Sequence, residues 1–497
     1  MILQNDYFDS EEFRELLDIY EESLTSGVLP YLDVDDFSDV ADYYMNVDKP
    51  DAAINCIERG LNIYPDEQQL WLIKSGAFIY LHRFEEARDI VERYDETNNE
   101  VLYQKAQLQY ALYKDVSKAE EMFSEWVAGE REYARIEEED ERQREEYVRD
   151  SYIHVITSFI ELTEEGGNDT EELVKRWVEL YLANFSPLGN YDSDLVLADT
   201  VRCECLYDMV VKVYSSILET NPYLNHGWTV LAAAQFTCNM LDDALDSVEF
   251  ALAVDPNDMD SVLTKAHCLI SKGCYAEAPE LLERYMSATN DHSQNLALAT
   301  CYRECDDTEG ALRCLEKAEQ FYAKYVSDGE YYSTACFEMA ELYFSLNRIE
   351  KARTYIDKAI EYNSVEPEYQ LLSATLMLCE DRLADALPLF AKYIEGESDI
   401  VSAVVRIVSR LIVFNYDTVA LGLLNMVEKH SRAKVEGIEK IYLYKALIFI
   451  RGGEHKKAAK CLRHCIGKCN DMIRWVLTDY IPEGMSLEKF LDFLENS

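Results

Sequence analysis

The stretch that decides the fold reads Trp228-Thr-Val-Leu-Ala-Ala-Ala-Gln-Phe-Thr-Cys-Asn-Met-Leu-Asp-Asp-Ala-Leu-Asp-Ser-Val-Glu-Phe-Ala-Leu-Ala-Val-Asp-Pro256. Large residues at Trp228 and Leu231 precede a small one at Ala232. Twelve positions later comes Ala244, then Val248, Ala251 and the breaker Pro256. The same phrase recurs along the chain. Its alanines are Ala53, Ala87 and Ala119, 34 and 32 residues apart, then Ala244, Ala278, Ala311, Ala352, Ala386, Ala420 and Ala458 at steps of 34, 33, 41, 34, 34 and 38. A period near 34 in a chain of 497 residues predicts a repeat array, so the length need not be divided into about three separate globular domains. The 18 Gly and 10 Pro are too few to favour an all-β protein rich in tight turns, and long helices are expected.

The spacing has a physical reason. Two antiparallel helices joined by a short turn approach closely only where side chains are small, and larger apolar residues fill the space around that contact. One pair cannot bury its own apolar face, so about three or more must stack before the array is stable.

A looser copy of the phrase is carried by Phe37, Val40, Ala41, Tyr44, Ala53, Ile57, Gly60 and Pro65. The pattern resembles the tetratricopeptide repeat, in which Trp-x2-Leu-Gly-x2-Tyr is followed by Ala, Phe, Ala and Pro on a second helix. The first glycine of that pattern is alanine here at Ala266, Ala299, Ala340, Ala374 and Ala446, which preserves the small size the position needs. The resemblance implies an all-α, right-handed superhelical solenoid of antiparallel helix pairs, with about ten to twelve repeats including degenerate ones.

Five regions are expected. Residues 1–32 hold an N-terminal capping helix, announced by Ser10-Glu-Glu-Phe13 before an amphipathic run. Three repeats occupy 33–128. The register then fails for the 125 residues between Ala119 and Ala244, and 129–190 reads as an atypical acidic helical insertion, with helical periodicity in Tyr147–Leu162 and Glu171–Ala183. Breaks fall at Gly166-Gly167-Asn168-Asp169 and at Ser186-Pro187-Leu188-Gly189-Asn190. A degenerate repeat, with Val210 in the alanine position, and seven clearer ones fill 191–472; residues 473–497 form capping helices. The 41-residue step equals 34 plus 7, which predicts a longer second helix around Glu319–Val326.

Charge narrows the function. Forty-seven Lys and Arg against 95 Asp and Glu give a net charge of −48, which opposes generic binding to nucleic acid or anionic lipid. No apolar window is long enough for a membrane span, and the opening Met1-Ile-Leu-Gln-Asn-Asp lacks a basic-then-apolar leader. Fourteen scattered cysteines read as reduced thiols, so a cytoplasmic setting is expected. The eight histidines are dispersed, and no His-Glu-x2-His, phosphate-binding loop or nucleophile elbow is present. Neither catalytic residues nor a cofactor nor a metal is expected. Cys461, Cys465 and Cys469, four apart beside His464, would suit a soft metal, but Cys56, Cys314 and Cys461 share a repeat register, which favours cysteine as a small buried residue.

The leading expectation is a non-enzymatic interaction scaffold for a protein or peptide partner. In the resembling family the first helices line a concave groove; carried onto this chain, its positions include Leu72, Phe236, Leu263, His267, Ile270, Leu296, Phe337, Phe344, Leu371, Leu378 and Leu443. The family's basic clamp for acidic peptide tails needs Lys-x3-Asn on the first helix. It is absent, because Ser38 and Asp42, Leu72 and Gly76, Thr229 and Ala233, and Leu263 and His267 stand there. A second candidate surface is the basic end: Lys429–Arg474 has twelve Lys and Arg against four acids, net +8, and includes Lys456, Lys457, Lys460 and Arg463. Met1–Asp48 is the reverse, fourteen acids against Arg14, net −13, so head-to-tail self-association is a further expectation. Glu130–Asp150 holds ten acids and five arginines and reads as a solvated helix or as a dock for a basic partner. The alternatives are an enzyme with its site in 129–190 and, further off, a nucleic-acid-binding helical repeat.

Overall fold

A computed structural model describes residues 5–8, 10–26, 31–138, 140–162, 168–224, 226–324, 329–430, 437–482 and 484–496. Every regular element among them is helical. The pairing of helices is set at their turns. Asp48, His82, Lys114, Cys205, Asn239, Gly273, Asp306, Asn347, Asp381, Asn415 and Gly453 all have φ between +53° and +77°. Each stands five residues before an alanine of the repeated phrase or, for Cys205, before Val210. The next backbone N–H reaches back over the helix end: Lys49, Arg83, Met240, Asp307, Arg348 and Tyr416 each donate at 2.8 Å to the carbonyl five residues earlier. One left-handed residue therefore satisfies a helix terminus and reverses the chain, and Asn, Asp and Gly carry most of these positions because they tolerate that conformation best.

The alanine that follows is the contact point. Ala53, Ala87, Ala119, Ala244, Ala278, Ala311, Ala352, Ala386, Ala420 and Ala458 are all fully buried, and Val210 is buried in the degenerate unit. At Gly60 an added Cβ would lie 3.0 Å from the Phe37 ring, so that helix pair is closer still.

The described chain forms two compact units, Met1–Cys268 and Leu269–Ser497. In the first, Ser10 accepts from the Phe13 N–H at 3.1 Å and starts the helix Glu11–Ser26, which buries Phe13 and Tyr20. The pairs Val34–Asn46 with Pro50–Ile63, Gln68–Tyr80 with Phe84–Val91, and Asn99–Ala111 with Val116–Glu137 follow. The last helix runs for 22 residues, past the repeat, and two more, Glu141–Glu161 and Asn168–Phe185, precede the pair Asp192–Cys203 and Tyr207–Thr220. Gly227–Thr237 and Leu241–Val254 come next; the division between units falls within Met259–Ser271. The expected break at Gly166-Gly167 lies outside the described residues, and Asn168 already begins a helix.

The second unit pairs Asn295–Glu304 with Thr308–Tyr322, Gly329–Ser345 with Ile349–Tyr362, Pro367–Cys379 with Leu383–Gly396, Ile400–Val413 with Asp417–His430, and Ile438–Arg451 with His455–Leu462. The expected longer second helix is not found among the described residues, and Tyr325 and Val326 of that stretch lie outside them. Thr308–Tyr322 ends where the Tyr322 ring turns into the core, and the following first helix is the longer one, 17 residues against 13 in Pro367–Cys379. Asn470–Val476 and Leu487–Asn496 close the unit by packing Ile473, Leu487, Phe490 and Leu494 against Leu443 and Leu462. No helix among the described residues is long and apolar enough to cross a membrane.

Candidate functional site

Four helices of the first unit surround a cavity of about 580 Å3. Val34–Asn46 starts on a reciprocal cap, Asp33 and Asp36 each accepting from the other's backbone N–H at 2.9 Å, and buries Phe37, Val40, Ala41 and Tyr44. That registry leaves Asp42, Met45 and Asn46 to line the cavity. Asn99–Ala111 begins on Asn98, whose side chain accepts from the Glu100 N–H at 2.9 Å, and Glu100 enters the lining from its first turn. Val116–Glu137 supplies Trp126 within the usual repeat length and Glu130 because it continues past it; Glu141–Glu161 supplies Tyr147, Asp150, Ser151 and His154.

Hydrogen bonds fix most of these groups. Glu130 accepts from Asn99 Nδ2 at 2.9 Å and from the Tyr147 hydroxyl at 2.6 Å. Glu100 accepts from Gln104 Nε2 at 2.6 Å, and that amide also donates to the Leu72 carbonyl at 2.9 Å. Asp150 accepts from Ser193 at 2.8 Å. Trp126 is buried and lies against Tyr103 with ring centroids 4.5 Å apart. Neither the Asp42 carboxylate nor the His154 ring has a hydrogen bond among the described residues.

Burial dominates the electrostatics. Burial, reinforced by Asp39 and Glu100, pushes Asp42 up to about 6. Glu100 is raised by burial and by Glu130 even though water reaches it at the cavity mouth. Asp150 is raised by burial, against the lowering bond from Ser193. His154 is pushed down to about 4 by burial, which keeps its ring neutral at pH 7. Among the described residues no lysine or arginine lines the cavity. The adjacent Arg149 is committed elsewhere: nearly fully buried, it pairs with the buried Asp194 at 2.5 Å and with Glu145 at 2.7 Å, and lies 4.1 Å from the Tyr191 ring centroid and 4.6 Å from that of Phe185. This anchor holds Glu141–Glu161 against the start of Asp192–Cys203 and so positions the cavity's far wall.

The residues expected to line a groove divide differently. Leu296, Leu371, Leu378 and Leu443 are buried in the core of the second unit and Leu72 in that of the first, because a stacked first helix turns its large apolar residues toward its neighbours. Phe236, Leu263, His267, Ile270, Phe337 and Phe344 are half-buried; Phe236 lies 6.0 Å from His267, and Phe337 stacks on Tyr369 at 4.9 Å. Lys456, Lys457, Lys460 and Arg463 are exposed on and just after His455–Leu462, where Lys457 pairs with Glu454 and Arg463 with Glu495. Arg432, Lys434 and Glu436 of the basic stretch lie outside the described residues, as does Glu139 of the acidic run.

Burial holds the Cys461, Cys465 and Cys469 thiols above their ordinary range, and Cys465 donates to the Glu439 carbonyl at 3.2 Å, as small core residues do. Asp42 was visible in the sequence only as a failed clamp position, and Glu130 and Asp150 only as members of an acidic run. Glu100, Trp126, Tyr147 and His154 carried no single-residue signal.

Residues 333–365 match the family model described as tetratricopeptide repeat. Within them Cys336, Met339, Ala340, Tyr343, Ala352, Ile356 and Ala359 are buried at the large and small positions of the repeated phrase. A comparison with curated proteins finds no match. Among solved structures the chain is similar to the APC/C hetero-tetramer Cut9–Hcn1, at 12% identity over 89% of each chain and a TM-score of 0.37. It is similar to yeast Tom70 at 15% identity over 86% of this chain and 97% of that one, TM-score 0.37. It is similar to Pseudomonas aeruginosa pilF at 14% identity over 47% and 97%, TM-score 0.35. Eleven turns among the described residues carry the same left-handed residue at the same place in the repeated phrase, and the unit at 333–365 matches the tetratricopeptide-repeat model.

Proposed function

We propose that the protein is a non-enzymatic cytoplasmic scaffold that seats a protein or peptide partner at the cavity of its first unit. The observation that carries this reading is the lining itself: Asp42, Glu100, Glu130 and Asp150 come from four stacked helices, and among the described residues no lysine or arginine lines the cavity beside them. Stacking fixes these groups in advance, so binding loses little conformational freedom on the scaffold side.

The exposed row Lys456, Lys457, Lys460 and Arg463 is a second surface, suited to an acidic partner or to the acidic first helices of another copy. Lys456 and Lys460 form no ion pair among the described residues, so their charge is available.

Affinity capture from native lysate with cross-links mapped by mass spectrometry tests the reading. Cross-links from the partner to 34–46 and 141–161, weakened by Asp42→Asn with Glu100→Gln, are expected. A partner that cross-links only elsewhere, with that double variant binding it unchanged, contradicts the assignment of the cavity.

A further inference from the structure

Three cysteines follow one another at the end of the second unit, and they are not equivalent. Cys461 lies on the helix His455–Leu462, Cys465 in the turn that follows it, and Cys469 stands directly before Asn470–Val476 as its N-cap. The Cys469 backbone N–H donates to the Cys465 carbonyl at 3.2 Å, and Gly467 between them has φ +85°, so the chain turns tightly from one to the other. The Cys469 sulfur lies 3.6 Å from the same carbonyl oxygen, and the two thiols are within hydrogen-bonding reach of each other. Cys465 meets Cys461 through that residue's carbonyl, at 3.5 Å. Exposure divides the pair as well: Cys465 is fully buried among Leu443, Leu462 and Ile473, whereas Cys469 is half-buried and open to small solutes.

From this contact we infer that Cys465 and Cys469 are a reversible dithiol–disulfide pair, a redox-sensitive clasp across the turn that joins the last repeat to its cap. The oxidant is a small peroxide, and hydrogen peroxide reaches Cys469 first. The Cys469 sulfur attacks one peroxide oxygen, the O–O bond breaks, hydroxide leaves with the thiol proton as water, and a sulfenic acid remains. The Cys465 sulfur then attacks that of Cys469. The S–O bond breaks, an S–S bond of about 2.04 Å forms, and the hydroxyl departs with the Cys465 proton as a second water. Two thiols have lost two hydrogens and two electrons, and one peroxide has become two waters. Burial holds both thiols above their ordinary range, so the reaction is slow and the pair rests reduced. Closure draws Cys465 away from the Glu439 carbonyl, to which it donates at 3.2 Å in the first turn of Ile438–Arg451. It also ties down the start of Asn470–Val476, the helix that presents Trp475, 74% exposed, at the end of the array.

The test is peptide mapping of the full wild-type chain, so it does not depend on any variant folding. The protein is treated with hydrogen peroxide, its remaining thiols are blocked with N-ethylmaleimide, and the monomer is digested with trypsin without reduction. Lys460, Arg463, Lys468 and Arg474 divide the segment so that the three cysteines fall in separate peptides, 461–463, 464–468 and 469–474. The expected product is 464–468 joined to 469–474, two hydrogens lighter than the free pair and separated again by dithiothreitol. Hydrogen exchange in Asn470–Val476 should slow in the oxidised chain and stay unchanged in Cys469→Ser treated the same way. A join from 464–468 to 461–463 or to any other peptide overturns the pairing. Sulfinic acid on Cys469 with no join overturns the reversible chemistry, and a join that leaves exchange in Asn470–Val476 unaltered overturns the clasp.

Discussion

Single residues carry two opposed demands in this protein, stability and readiness to bind, and Asp42 shows both. Its folded pKa of about 6 lies above the ordinary 3.8, so the fold favours the protonated form. The resulting stabilisation is complete below pH 3.8 and is lost as pH rises through about 6. Around it stand Glu100, Glu130, Tyr147, Asp150 and His154 from the other helices, with Asp39 on its own, and none of them supplies a positive charge at pH 7. Asp42→Asn should therefore raise stability by about 2 kcal/mol at pH 7 and give almost no gain at pH 4, measured by urea unfolding at both values. Gly129 makes a finer test. A Cβ there would lie 2.7 Å from the Asn99 amide, which donates to Glu130. Gly129→Ala should displace Asn99 and weaken partner binding at the cavity, with the helix itself gaining up to about 1 kcal/mol in propensity. The sequence shows Asp42 as the residue that breaks the clamp pattern, but whether a carboxylate meets water or faces three others depends on distant helices.

At the scale of elements, the alanine register was legible because a helix contact tolerates few residues. Ala352→Leu should overpack the pair Gly329–Ser345 and Ile349–Tyr362 and cost about 1–3 kcal/mol, read as a lower melting temperature with peptide binding at the cavity intact. The left-handed turn residues five positions earlier follow the same period and were equally present in the sequence, although Lys114 and Cys205 disguise it. The inward leucines read equally as core or as groove in the sequence, because a core face and a binding face have the same apolar composition. In the atypical region no period exists, and a long-range ion pair sets the geometry. Asp194→Ala should leave the Arg149 charge buried and cost about 3–5 kcal/mol, with the helix Glu141–Glu161 losing hydrogen-exchange protection first. No pattern in the sequence joins residues 149 and 194.

At the scale of the whole molecule, charge is distributed by region: the net −48 includes a stretch of +8 at 429–474 and one of −13 at 1–48. Opposite stretches on one chain predict association at low ionic strength through Lys456, Lys457 and Lys460, dissolving as salt screens them. Static light scattering should show a mass above 57.5 kDa at low salt and the monomer mass at high salt. Lys456→Glu with Lys460→Glu should remain monomeric at both; a wild-type monomer throughout removes self-association. The central claim, that the first unit seats a partner at its acid-lined cavity, is tested most directly by hydrogen exchange on the purified partner complex. Slowed exchange in Val34–Asn46, Asn99–Ala111 and Glu141–Glu161 is the predicted result. Protection confined to other helices, with these three exchanging as in the free chain, would contradict it.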